Sequence, residues 1–194
     1  MIKKTFITLV ISLFVINYSY SKENFFADAK ELFDNKKYEE SKFLFQRDIV
    51  FNPKKAKSYL FLAKIFKIEK NLKEEEKNLN TAILLDPKNE EAFLLKADAK
   101  TQLTDYEGAM KDLSSAIGLN PKNEMFWMKR GELKGDLEDY EGAIEDYSKA
   151  LELNPLKKVI QIDILRLKNK LQENEKIPKQ LSELDKNKSS ELDD

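Results

Sequence analysis

Four of the five prolines stand 34 residues apart, at Pro53, Pro87, Pro121 and Pro155. Each follows Asn or Asp: Asn52, Asp86, Asn120 and Asn154. Proline has no N–H to donate and pushes its predecessor out of the α region, so each pair ends one helix and opens a turn. The surrounding residues repeat as well. DYEGAMKDLSSAIGLNP, which ends at Pro121, and DYEGAIEDYSKALELNP, which ends at Pro155, share eleven of seventeen residues. Between consecutive prolines lie two helical patterns, with breaks near Asn71, Thr104 and Glu138. One two-helix unit cannot bury its apolar face alone, so the repetition predicts a stack of helical hairpins.

Composition agrees and narrows the chemistry. Only 5 Gly occur in 194 residues and 36% of residues are charged, which suits helices and disfavours β-hairpins. The chain has no Cys and no His, which excludes Cys/His zinc sites, thiol nucleophiles, Ser-His-Asp triads and histidine acid–base work. The fold therefore does not rely on disulfides. A net charge of -1 argues against a general nucleic-acid binder. Glu132 and Asp136 lie four apart and share a helix face, but no other catalytic group converges on them. Phosphate-binding glycine loops, metal-ligand motifs and nucleophile motifs are absent. No enzyme, cofactor or metal is expected.

The chain opens MIKKTFITLVISLFVINYSYS. Lys3 and Lys4, an apolar run from Phe6 to Ile16 and a small-residue stretch follow the order of a secretory signal peptide, with cleavage expected after Ser21. The alternative is an uncleaved anchor, although the run is short of the about 20 residues that cross a bilayer. Either way the remainder is expected outside the cytoplasmic membrane, periplasmic or secreted, of a bacterium whose Lys/Asn/Ile-rich usage the sequence shows. Removing residues 1–21 takes two lysines and no acid, leaving a net charge of -3.

The units resemble the tetratricopeptide repeat (TPR). The fourth carries the resemblance best, in Trp127, Gly131, Tyr140, Ala143, Tyr147, Ala150 and Pro155. The third offers Phe93, Ala97, Tyr106, Ala109, Leu113, Ala116 and Pro121, and the second Tyr59, Ala63, Leu72, Leu79, Ala82 and Pro87. The first is weakest: Phe25, Ala29, Tyr38, Ser41, Phe45 and Pro53. The resemblance implies an all-α, right-handed superhelical solenoid of four hairpins, at about 22–55, 56–89, 90–123 and 124–157, plus a capping helix at 156–175. Small residues such as Gly131 and Ala143 would let backbones approach, while Trp127, Tyr140 and Tyr147 would fill the space between layers. Glu75, opposite Ala63, and Asp48, in the place of Ala82, Ala116 and Ala150, depart from the pattern. They predict looser packing in the first two units.

Leu156, Ile160, Ile164, Leu167 and Leu171 form a helical stripe that would cover the last unit. Val159, Ile162 and Leu165 lie off it, read as part of a broad buried face, the alternative being a partner or dimer surface. Residues 176–194 are polar and are expected to form a disordered tail.

In the tetratricopeptide family the concave groove, lined by the first helix of each unit, binds peptides or partner segments. Matching positions imply a lining of Phe26, Lys30 and Phe33, then Lys57, Leu60, Lys64 and Lys67. The third unit would add Glu91, Leu94, Asp98 and Gln102, and the fourth Met125, Met128, Glu132 and Asp136. The first two units thus present lysines and the last two carboxylates, so an extended dipolar segment with apolar anchors would fit. The alternative is that these charges only keep the face soluble. The lysine–asparagine clamp that one subtype uses on chaperone carboxylates is not matched. The expectation is a non-catalytic scaffold for a protein or peptide segment, with no nucleic-acid partner and membrane contact only through an uncleaved N-terminus. The alternative function is structural: a homodimer formed through the last helix, with the groove empty.

Overall fold

A computed structural model describes residues 25–157 and 159–174. The leader and the tail lie outside these residues. The described residues form helices and turns, with no strand among them. In order they are α1 (25–34), α2 (Tyr38–Phe51), α3 (Ala56–Ile68), α4 (Leu72–Leu85), α5 (Glu90–Gln102), α6 (Tyr106–Leu119), α7 (Glu124–Asp136), α8 (Tyr140–Leu153) and α9 (159–174). The chain divides into two compact units, one ending at Leu103 and the other starting at Thr104.

The Asx-Pro pairs end helices as expected. Asn52, Asp86, Asn120 and Asn154 have φ between -142° and -129°, and the backbone N–H of each still donates to the carbonyl four residues back. The turns inside each hairpin work differently. Lys36, Lys70, Thr104 and Glu138, again 34 apart, hold φ of 58° to 64°. Next to three of them the following N–H reaches back five residues: Lys37 to Leu32, Asn71 to Phe66 and Asp139 to Lys134, at 2.9 Å each. This is the left-handed termination that satisfies carbonyls at a helix end, here without glycine. The next helix is then capped by an Asx side chain at Asn71, Asp105 and Asp139, and likewise after the prolines at Asn89 and Asn123. Helices α2 and α3 start at Lys37 and Lys55 without such a bond.

In the first compact unit, α2 packs on α3, α3 on α4 and α4 on α5. Ala29, Phe45, Leu62 and Ile65 are buried together, surrounded by Phe26, Phe33, Tyr38 and Phe61. Phe61 stacks on Phe45 at 5.1 Å and meets Phe26 and Phe33 edge-on. The two residues expected to loosen this region behave differently. Asp48 is fully buried, yet Asn52, Lys55 and Ser58 all donate to its carboxylate. Glu75 is 1% exposed and neither of its oxygens has a hydrogen-bond partner. Asp48 is thus satisfied by its neighbours, while the Glu75 carboxylate is buried without a hydrogen bond.

In the second unit α6 packs on α7 and α7 on α8. The close approach expected at Gly131 is present. A Cβ there would sit 3.2 Å from the Ala143 carbonyl oxygen and 3.2 Å from the Tyr147 ring. Trp127 is one of the aromatics expected between layers. It is half-buried, donates its indole N–H to the Pro121 carbonyl at 3.0 Å and lies under Arg130. Its neighbour Phe126 is more deeply buried, at 2% exposed, and Tyr140 is buried as well. Leu156 does not belong to the capping stripe either. It sits in the turn before α9 and is 89% exposed, while Ile160 and Leu167 are buried. The broad buried face is also corrected: Val159, Ile162 and Leu165 are 66%, 48% and 61% exposed.

Candidate functional site

The predicted lining separates into residues used inside the fold and residues left at a surface. In the first unit, Phe26 and Phe33 belong to the aromatic cluster, with the Lys55 ammonium 4.3 Å from the Phe26 ring. Leu60 is 4% exposed and packs against Ala63, Leu79 and Ala92, so it is core and not lining. Burying a leucine side chain contributes more to the fold than leaving it in solvent.

The charges are also partly consumed. Lys64 pairs with Glu91 at 2.8 Å and Lys67 with Asp98 at 2.7 Å, each joining α3 to α5. Lys30 pairs with Asp34 within α1 at 2.6 Å, and Gln102 donates to the Asp98 carbonyl. The expected segregation of lysines and carboxylates is thus met by complementary helices within the unit. Lys57 stays exposed and Leu94 half-buried.

In the second unit the four matched positions come together. Met125, Met128 and Glu132 line a cavity of about 390 Å³, completed by Lys129, Tyr147 and Asp163. Glu132, Tyr147 and Asp163 continue into a second of about 180 Å³, which adds Asp136 and Gly135 from α7 and Arg166, Leu167 and Lys170 from α9. The helical spacing of Met125, Met128, Glu132 and Asp136 places them along one face of α7. Helix α8 supplies Tyr147 and α9 the opposite wall. The turn into α9 is held by Lys157, which pairs with Glu124 at 3.1 Å and lies 3.4 Å from the Met128 sulfur. Those bonds from Lys157 and Asn154 keep the Glu124 carboxyl below the usual carboxylate range.

The cavities bring three carboxylates, Glu132, Asp136 and Asp163, beside the cations Lys129, Arg166 and Lys170. The Tyr147 hydroxyl is pushed up to about 12, first by burial and then by the negative charges of Asp163, Glu132 and Asp136. Lys129 pairs with Glu132 at 3.0 Å and Arg166 with Asp163 at 3.1 Å, all at least partly in solvent. Asp136 makes no ion pair among the described residues. Sequence reasoning missed Tyr147, which it assigned to packing, and Asp163, which it left inside a capping helix. A carboxylate between Ile162 and Ile164 was the available signal.

Comparison with known proteins places this geometry. The tetratricopeptide repeat profile matches residues 56–89, 90–123 and 125–155, more than half of the chain. No curated protein matches the sequence. Among solved structures the chain is similar to the MamA protein, with 17% identity and a TM-score of 0.71 over 77% of this chain and 81% of that one. It is also similar to YrrB, described as a TPR protein with an unusual peptide-binding site, at 13% identity and a TM-score of 0.71 over 81% and 82% of the two chains. The first TPR of Spaghetti (RPAP3), bound to an HSP90 peptide, aligns at 22% identity and a TM-score of 0.57 over 60% of this chain and 93% of that one. At these identities the likeness concerns the fold, an all-α solenoid of helical repeats. The matched profile, the hairpins that repeat every 34 residues and the Gly131–Ala143 approach agree, and the chain belongs to the tetratricopeptide repeat family.

Proposed function

We propose that the protein is a non-catalytic scaffold that holds a segment of a partner protein against the first-helix faces of its repeats. One observation carries the reading: Met125, Met128, Glu132 and Asp136, the positions the family uses for binding, line two joined cavities open to solvent. Apolar anchors would supply affinity and charge would select orientation. YrrB and the Spaghetti TPR, whose descriptions name peptides, lend support by analogy of fold. The lysine-led apolar leader, read as an export signal, supports a partner among envelope or secreted proteins.

Affinity capture from an envelope extract of the source cells, with the mature chain as bait, tests this. A parallel bait carries Met128→Glu and Asp136→Lys. A partner held by the first and lost by the second is the expected result. A partner held equally by both would move the site off α7. Lys64 and Lys67 are unsuitable for this test, because their reversal also breaks pairs to Glu91 and Asp98.

A second reading has its own observation. Leu156, Val159, Ile162 and Leu165 are exposed apolar residues in and just before α9, which suits self-association through that helix. Light scattering after size exclusion would then give a dimer that Ile162→Asp converts to monomer. A monomeric wild-type chain at tens of micromolar would end this reading.

A further inference from the structure

The two cavities differ in lining in a way that suits one kind of side chain. The larger is lined by Met125 and Met128, and the smaller by Glu132, Asp136 and Asp163 beside Arg166 and Lys170. Tyr147 lines both, and its hydroxyl lies in the field of Asp163, Glu132 and Asp136. Building on the proposed scaffold role, we propose that these joined cavities take a lysine or arginine side chain of the bound segment, with its stem along Met125, Met128 and Tyr147 and its charged head at Asp136 and Asp163.

Such side chains combine a long apolar stem with a cationic tip, and methionines adapt to a stem of either shape. The cations already present do not fill this role. Lys129 and Arg166 belong to exposed pairs, with side-chain exposures of 43% and 73%, which contribute little and can be exchanged. The Lys170 ammonium lies 5.2 Å from the Tyr140 ring, and Lys157 is engaged by Glu124. Asp136 is left for a guest. An anionic side chain would meet three carboxylates at the same place, and a purely apolar one would add no cation for Asp136, which makes no ion pair among the described residues.

The test uses the mature chain with its methionine methyl groups labelled with carbon-13, titrated with blocked tripeptides Ac-Ala-X-Ala-NH2. With X as lysine or arginine, the Met125 and Met128 methyl signals should move saturably. The norleucine peptide, which keeps the stem and loses the charge, should bind about tenfold more weakly, as should the lysine peptide on Asp136→Asn/Asp163→Asn. Circular dichroism confirms that this variant is folded. Equal binding of lysine and norleucine peptides would overturn the cation pocket while leaving the groove reading intact. So would tighter binding of the glutamate peptide. If no peptide moves either methyl signal, the pocket and the groove reading at α7 fail together.

Discussion

Replacing Asp146 by alanine is expected to destabilise the second compact unit by roughly 3–5 kcal/mol, the usual cost of removing one partner of a buried ion pair. Asp146 is 2% exposed on α8. Its carboxylate accepts two hydrogen bonds from Arg130, from Nε at 2.8 Å and Nη2 at 2.7 Å, and pairs with Lys134 at 3.0 Å. Both cations come from α7, so one carboxylate fastens the two helices where Gly131 lets them approach. Its hydrogen bonds hold the Arg130 guanidinium above its ordinary value. Without Asp146, Arg130 keeps only Ser114 and the Trp127 ring, and Lys134 keeps the Gly142 carbonyl. Two largely buried cations would then lack an anion. Thermal or urea unfolding measures the loss. The paired replacement Arg130→Met with Asp146→Leu should recover part of it, since an apolar pair needs no counter-charge. A change below about 0.5 kcal/mol for Asp146→Ala would show the latch to be unimportant.

Glu75→Met is expected to act in the opposite direction, stabilising the first unit by about 1–3 kcal/mol at pH 7, the cost of leaving a buried polar group unsatisfied. Methionine keeps the length of the side chain and removes the charge. Burial raises the Glu75 carboxyl above its ordinary 4.5, with Lys67 acting against the rise and Asp98 adding to it. The folded state therefore holds this proton more tightly than the unfolded chain does. Glu75 costs the fold least below pH 4.5 and most once pH has risen past the folded value. The advantage of Glu75→Met should accordingly shrink as pH falls from 7 to about 4. Urea unfolding across that range checks the slope, and a gain that is the same at both ends would remove protonation of Glu75 as its cause.

The repeat, the helix limits set by Asx-Pro and the positions along α7 were all legible in the residues. Departures were legible too, since Glu75 and Asp48 stand out against the small residues of other units. Their consequences were not. Asp48 is satisfied because Ser58, ten residues on, folds back to it, and Glu75 has no such neighbour. Leu60 and Leu94 occupy the same repeat position, yet one is core and the other half-buried, because different helices flank them.

The sequence by itself determined the all-α repeat, because proline geometry and helical periodicity are local and act through the next few residues. Tertiary structure alone decided which charges and apolar faces remain available. Lys64 and Glu91 are 27 residues apart and Lys67 and Asp98 are 31 apart, and they neutralise each other only once α3 and α5 lie side by side. Tyr147 and Asp163 join the methionines of α7 only once α8 and α9 pack against it. The residues of α9 suggest a broad buried face, but in the fold Leu167 packs on Tyr140 and Ala143 of α8 and Ile160 is buried, while Val159, Ile162 and Leu165 stay exposed. Burial and pairing depend on distances between elements, which no local pattern encodes.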